Sequence, residues 1–294
     1  MSFRAWFAVR FLRATIKKSL DIDVQSKEFE KSTSRYKVPE DITIKNEVWD
    51  NVPVEWIHPS ADTPKKVILF LHGGSYTIGS PKNYRFFLGA LAKATNIPTL
   101  AVDYRLAPAH PFPAAMNDAI TAYKHLLDAG YRGEDIVFLG DSAGGNLVLT
   151  TGMYLRDHQM EMPKALLMIS PWLDLVMESE SIKKNAAKDP VCDYGFDYQS
   201  ARQYAGNVSL TDPRISPIYG SLKNLPAMFM HAGTVEMGFE DYYTLIQKAK
   251  QEGADVTSKV WKGLFHDMTI FYTETPEGKQ SFEDLTAFIL SKFR

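Results

Sequence analysis

The sequence predicts an α/β fold, a mostly parallel sheet with helices packed on both faces. Three observations predict it. Short apolar runs rich in branched residues recur along the chain, each the length of a strand covered on both faces. Segments with helical spacing lie between them. A long irregular stretch interrupts the alternation once, as an insertion over a sheet would.

The elements follow in order. Phe3, Trp6, Phe7, Phe11 and Leu12 recur at helical spacing and predict an N-terminal helix. Residues 21–40 are polar and irregular, and predict a linker. Ile42–Trp56 alternates loosely, as two short strands do. Then come Lys66–Leu71, Ile97–Tyr104, Asp135–Gly140, Lys164–Ser170, Pro226–Ala232 and Val256–Trp261, each predicted as a strand. Helical patterns occupy Tyr84–Ala94, Pro113–Ala129, Ala143–Arg156, Phe239–Gln251 and Ser281–Phe293. Residues 173–224 mix aromatics, prolines and charges without a clean period. With about residues 1–40, a segment of about 175–224 is expected to form a cap over a single domain spanning 1–294.

The 294 residues carry 33 basic and 35 acidic side chains, a formal net charge of -2. A clustered basic footprint for nucleic acid is lacking, so a small molecule is the expected partner. The one cysteine, Cys192, permits no intrachain disulfide and fits a reducing, cytoplasmic compartment. Arg10 and Arg13 interrupt any apolar core of a leader, so a secretory signal is not expected. The basic N-terminal helix, with Arg4, Arg10, Arg13, Lys17 and Lys18, allows two roles. Packing over a pocket is expected first, and weak contact with a membrane surface second.

Gly140-Asp141-Ser142-Ala143-Gly144 matches G-x-S-x-G, directly after a predicted strand and before a predicted helix. In that setting Ser142 is the expected nucleophile, lifted above the sheet edge by a tight turn. A tetrahedral intermediate needs N–H donors for its oxyanion. Ala143 offers one, and His72-Gly73-Gly74-Ser75 offers others, so Gly73, Gly74 and Ala143 are the expected donors. The base follows the last strands. His266 is the only histidine beyond residue 231 and is the candidate. For the acid, Glu236, Glu240 and Asp241 all qualify by chemistry. Glu240 and Asp241 also suit an ordinary first helical turn, whereas Glu236 sits in the loop before it. Arg105 with Asp118 reads as a packing ion pair, and Asp141 as a group that orders the turn. His110 reads as part of a proline-fixed loop. No H-E-x-x-H or comparable ligand spacing is present, so a zinc site is not expected. Asn207-Val208-Ser209 fits a glycosylation sequon, which carries little weight without secretion.

From about Pro53 onward these motifs resemble the hormone-sensitive-lipase-like branch of the α/β-hydrolases, especially its bacterial carboxylesterases. The family's HGGG stands here as HGGS at 72–75. Its D-Y-R-L-A-P-x-H-P-F-P-A-A segment is complete at Asp103–Ala115, its GDSAGG at Gly140–Gly145, and its S-P-W-x-D at Ser170–Asp174. The resemblance implies an α/β-hydrolase fold with a mostly parallel eight-stranded sheet and a helical cap built partly from the N-terminus. It implies hydrolysis of short- to medium-chain acyl esters by a Ser142–His266–Glu236 triad, with no metal or cofactor. A homodimer through an edge strand or a neighbouring helix is a further implication. Ser75 departs from the third glycine and is expected to retune the pocket. An amidase or peptidase on the same scaffold, a membrane-surface lipase and a non-catalytic ligand-binding relative are the alternatives.

Overall fold

A computed structural model describes residues 2–15, 18–59 and 63–294. Two helices open the chain, α1 (Phe3–Thr15) and α2 (Ile22–Ser34). A hairpin follows, β1 (Ile42–Trp49) and β2 (Val52–Pro59). The alternating part runs β3 (Val67–Leu71), α3 (Arg85–Thr95), β4 (Thr99–Val102), α4 (Ala114–Asp128), β5 (Ile136–Asp141), α5 (Ser142–Asp157) and β6 (Ala165–Ile169). An insertion then carries α6 (Glu180–Asn185) and α7 (Tyr194–Ala205). The chain closes with β7 (Ala227–Gly233), α8 (Phe239–Glu252), β8 (Val256–Trp261) and α9 (Pro276–Lys292).

The eight strands form one sheet in the order β1-β2-β4-β3-β5-β6-β7-β8. β1 pairs antiparallel with β2, and β2 with β4; every later pair is parallel. The β1–β2 turn is Asp50-Asn51, both at positive φ (47° and 66°). Two left-handed residues give a turn whose twist matches that of the flanking strands, and Asp and Asn tolerate that region better than most side chains.

The central strands carry near-continuous apolar runs because successive side chains enter different cores. Ile136 and Phe138 of β5 pack with α4, α5 and α8, against Ala119, Tyr123, Leu147 and Leu245. Val137 and Leu139 pack on the other face with α3 and α9, against Phe87, Leu91, Leu285 and Ile289. β3 and β6 alternate in the same way. Full burial of each such side chain contributes about 1.5–3 kcal/mol.

Two expectations near the N-terminus change. Residues 21–40 are not simply a linker, because α2 occupies most of them. Its few apolar residues hide the period, but Asp21 caps it by accepting from the N–H of Asp23 and Val24. Phe29 then packs edge-on against Tyr84 at 6.0 Å. In α1 the buried face is Ala5 and Val9, set against Leu264, Phe265 and Met268. Phe3 and Phe7 turn outward, 78% and 60% exposed, while Phe11 and Leu12 line the large cavity described below. The stripe therefore divides: Phe11 and Leu12 cover a cavity, and Phe3 and Phe7 face solvent. Lys17 and the side chains of Trp6 and Arg13 lie outside the described residues. No helix among the described residues is long and apolar enough to cross a membrane.

The turn from β5 into α5 depends on backbone contact. A Cβ on Gly144 would lie 2.0 Å from the Leu71 carbonyl oxygen, and one on Gly140 would lie 2.4 Å from that of Gly144. Both sites therefore exclude any side chain without a backbone shift. Gly144→Ala is expected to destabilise the protein by at least about 1–3 kcal/mol, read as a lower midpoint in urea unfolding. An unchanged midpoint would remove the close approach from the argument.

Candidate active site

Ser142 sits at the first position of α5 with φ 52°, a left-handed conformation that an L residue adopts only under constraint. The constraint is the close packing of Gly140 and Gly144. The Ser142 carbonyl accepts from the N–H of Trp172 at 3.0 Å, which ties the turn to the segment after β6. Ser142 and His266 line the same cavity, of about 530 Å³. Its walls come from α1, α2, the loop at 74–78 and the insertion around α7, so helices from both irregular regions cap the C-terminal ends of the strands. In open α/β sheets that is where ligands bind.

His266 comes from the loop after β8. Its Nδ1 faces Glu236 Oε2 at 3.3 Å, and its Nε2 lies 3.4 Å from Asp267 Oδ2. Glu236 is buried in the loop after β7. Its Oε1 accepts from Ser170 Oγ at 2.9 Å and from the N–H of Gly233. Of the three acids open to sequence reading, only Glu236 meets the imidazole. Glu240 instead accepts from the N–H of Ser181, and Asp241 is buried beside Asp174, its carboxyl pushed up to about 7 by that burial. Burial alone would pull the His266 pKa down. The charge of Asp267, the neighbouring Cys192 and the hydrogen bond with Glu236 outweigh it, and the imidazole is held well above its ordinary value.

The oxyanion expectation needs one correction. The N–H of Gly73 already donates to Asp141 Oδ1 at 3.0 Å and to the Tyr84 hydroxyl at 3.1 Å, so it points into the interior. A Cβ on Gly73 would lie 2.3 Å from Asp141 Oδ2, which explains the glycine without an oxyanion. The cavity is lined by the next two residues, Gly74 (φ 112°) and Ser75 (φ 52°). Ala143 lies in the first turn of α5, where an N–H has no intrahelical acceptor.

Several residues here carried no sequence signal. Ser75 Oγ donates to Asp197 Oδ1 of α7 at 2.7 Å, tying the loop after β3 to the cap. Asp197 is pushed up to about 6 by burial. Burial pushes the carboxyls of Asp141 and Asp267 up, Asp141 to about 6 and Asp267 well above its ordinary value. Ser170 Oγ also accepts from the Asp267 N–H at 3.0 Å, bridging the loops that carry His266 and Glu236. Asp141 accepts from Tyr84 Oη at 2.7 Å and orders the turn, as its position in the sequence suggested. Arg105 and Asp118 form the ion pair read from the sequence, at 2.7 Å. His72, stacked on Tyr104 at 4.1 Å, is pulled down to about 4 by burial and is neutral.

Residues 68–270 match the model of the α/β hydrolase fold family. The chain belongs to that family. This hydrolase is 35% identical over 235 residues to an acetyl-hydrolase of Streptomyces hygroscopicus, covering 80% of this chain and 78% of that protein. It is 32% identical to an esterase of Acinetobacter venetianus, covering 77% and 75%. Among solved structures, an esterase from the bacterial hormone-sensitive lipase family superposes with TM-score 0.94 at 32% identity, covering 100% of this chain and 99% of the other. The hydrolase thus falls in that branch and is a carboxylic-ester hydrolase of the serine type.

A base must be neutral to accept a proton, and His266 titrates above the usual value near 6.5. The kcat/KM of ester hydrolysis should therefore rise with pH along an acidic limb centred above that value. Glu236→Gln removes an anion that favours the imidazolium, so its limb should move to lower pH. Its turnover should fall by about 10²–10⁴-fold, while Asp241→Asn stays near wild type. The reverse ranking of the two variants would transfer the acid role to Asp241.

Proposed function

We propose that the hydrolase is a carboxylesterase for short- to medium-chain acyl esters, with Ser142 as nucleophile, His266 as base and Glu236 as the acid behind it. The observation that carries the reading is His266. Its Nδ1 rests on a buried carboxylate that is itself fixed by Ser170 and Gly233, and its ring opens on the cavity that holds the strained Ser142.

In this mechanism Ser142 Oγ attacks the ester carbonyl carbon and passes its proton to His266 Nε2. The imidazolium that forms is stabilised by Glu236. The carbonyl oxygen becomes an oxyanion held by the N–H groups of Gly74, Ser75 and Ala143. Collapse of the intermediate breaks the bond to the alcohol, which leaves with the proton from His266. Water then gives a proton to His266 and attacks the acyl-serine, and release of the acid restores both groups.

Substrate size follows from the cavity. A volume of about 530 Å³ walled by Phe11, Phe29, Phe196, Ile270 and Phe271 suits a compact apolar acyl group. The protein EstE5 offers a parallel: its crystals were soaked with p-nitrophenyl butyrate, and its structure matches this chain with TM-score 0.93 at 33% identity over 99% of both chains. The cap we assign to about residues 1–40 and 175–224 closes the space on the side away from the sheet.

Ser142→Ala should lower ester turnover by about 10⁴–10⁶-fold with its thermal unfolding close to wild type; a variant keeping a tenth of the rate would end the nucleophile assignment. Across p-nitrophenyl esters, kcat/KM should peak at about four to eight acyl carbons and exceed that for the matched anilides. A maximum on emulsified long-chain triglycerides, or on the anilides, would support the lipase or the amidase reading instead.

A further inference from the structure

Behind His266 the insertion brings two more side chains that the hydrolytic mechanism does not use. Asp189, Cys192 and His266 each present a ligand atom, and the three atoms lie within 4.8 Å of one another. A tetrahedral zinc ion, with bonds of about 2.0–2.3 Å, places its ligand atoms roughly 3.3–3.8 Å apart. A contraction of about 1 Å, within reach of side-chain adjustment, brings the three to that spacing. One oxygen, one sulfur and one nitrogen make a donor set of the zinc type.

We propose that Asp189, Cys192 and His266 form an inhibitory site for a thiophilic divalent cation such as zinc. Asp189 is 1% exposed, and Lys18 Nζ donates to the backbone carbonyls of Asp189 and Cys192, at 3.5 and 2.6 Å. Backbone N–H groups orient the Asp189 carboxylate: Val191 and Cys192 donate to Oδ1 at 3.0 and 3.4 Å, and Met237 donates to Oδ2 at 3.3 Å. The carboxylate is thus aimed and held. Asp197, Glu236 and Asp267 crowd the same imidazole, so a divalent cation enters a region rich in carboxyl groups.

Cys192 and His266 line the cavity, so a cation enters from it and keeps its fourth position open to water there. Burial pushes the Cys192 thiol well up. Coordination exchanges its S–H bond for an S–metal bond and releases the proton to solvent. With Nδ1 on Glu236, the imidazole nitrogen left for the metal is Nε2. The same lone pair accepts the Ser142 proton in the proposed mechanism. Metal binding and general-base action therefore exclude each other. The inhibition rests on that mechanism; the binding does not.

Both halves can be measured on the whole chain. Purified protein is titrated with ZnCl2 while ester hydrolysis is followed, and separately with CoCl2 while the near-ultraviolet thiolate-to-cobalt band is recorded. One equivalent of metal should bind, turnover should fall in step, and EDTA should restore it. Cys192→Ser and Asp189→Asn should each weaken binding by at least about 10–100-fold, and Cys192→Ser should abolish the cobalt band. Cys192→Ala serves if the serine variant unfolds. Ser142→Ala should bind metal like wild type, which keeps the binding test independent of turnover. Binding unchanged in both ligand variants would overturn the site. A cobalt band with undiminished turnover would keep the site and remove His266 as the base.

Discussion

The structure depends on one close approach, where α5 leaves the end of β5. Helix and sheet meet backbone to backbone because Gly140 and Gly144 carry no side chain. That contact holds Ser142 at a positive φ and places it in the wall of the cavity. It also puts the start of a helix, with its unpaired N–H groups, beside the serine. The proposed nucleophile, a donor of the proposed oxyanion site and a rigid support thus come from a single turn. The cost is local strain of about 1–3 kcal/mol, which two buried cores on opposite faces of the sheet absorb.

Around this turn the dominant force is electrostatic. One imidazole faces Glu236 and Asp267 directly, with Asp141, Asp189 and Asp197 in its field. Burial opposes ionisation of Asp141, Asp189, Asp197 and Asp267, and the carboxyls differ in their donors. Glu236 is fed by Ser170 and Gly233 and takes the imidazole. Asp141 is fed by Gly73 and Tyr84, and burial pushes Asp267 up. This division assigns Gly73 a structural task and leaves Gly74 and Ser75 facing the cavity. Ser75, where the family has glycine, reaches Asp197 and so couples the proposed oxyanion loop to the cap.

The cap is the part in which local sequence and tertiary context disagree most. α1 is a basic helix with an aromatic stripe, yet among its described side chains the buried ones are Ala5 and Val9. Small side chains let the helix lie close to Leu264, Phe265 and Met268, and the larger Phe3 and Phe7 project outward. α2 has too few apolar residues to show a period, and is held by its Asp21 cap and by the contact of Phe29 with Tyr84.

The eight strands, the helices between them outside the 173–224 insertion, and the G-x-S-x-G turn were legible in the sequence. Each is set by local periodicity or by a glycine spacing that only one backbone path satisfies. The family resemblance was legible for the same reason, since its motifs are short and contiguous. The choice among Glu236, Glu240 and Asp241 was not settled by residue type; only folding shows which carboxylate meets His266. Gly73 was misread because an N–H carries no mark of its partner, and that partner, Asp141, lies 68 residues away. The grouping of Asp189, Cys192 and His266 left no ligand spacing to find, because two of its members lie in an insertion without a period. Sequence determined what is local: the strands, the periodic helices and the turn that carries Ser142. Tertiary structure decided which buried charge faces which, because hydrogen-bond partners and desolvation are properties of the packed chain.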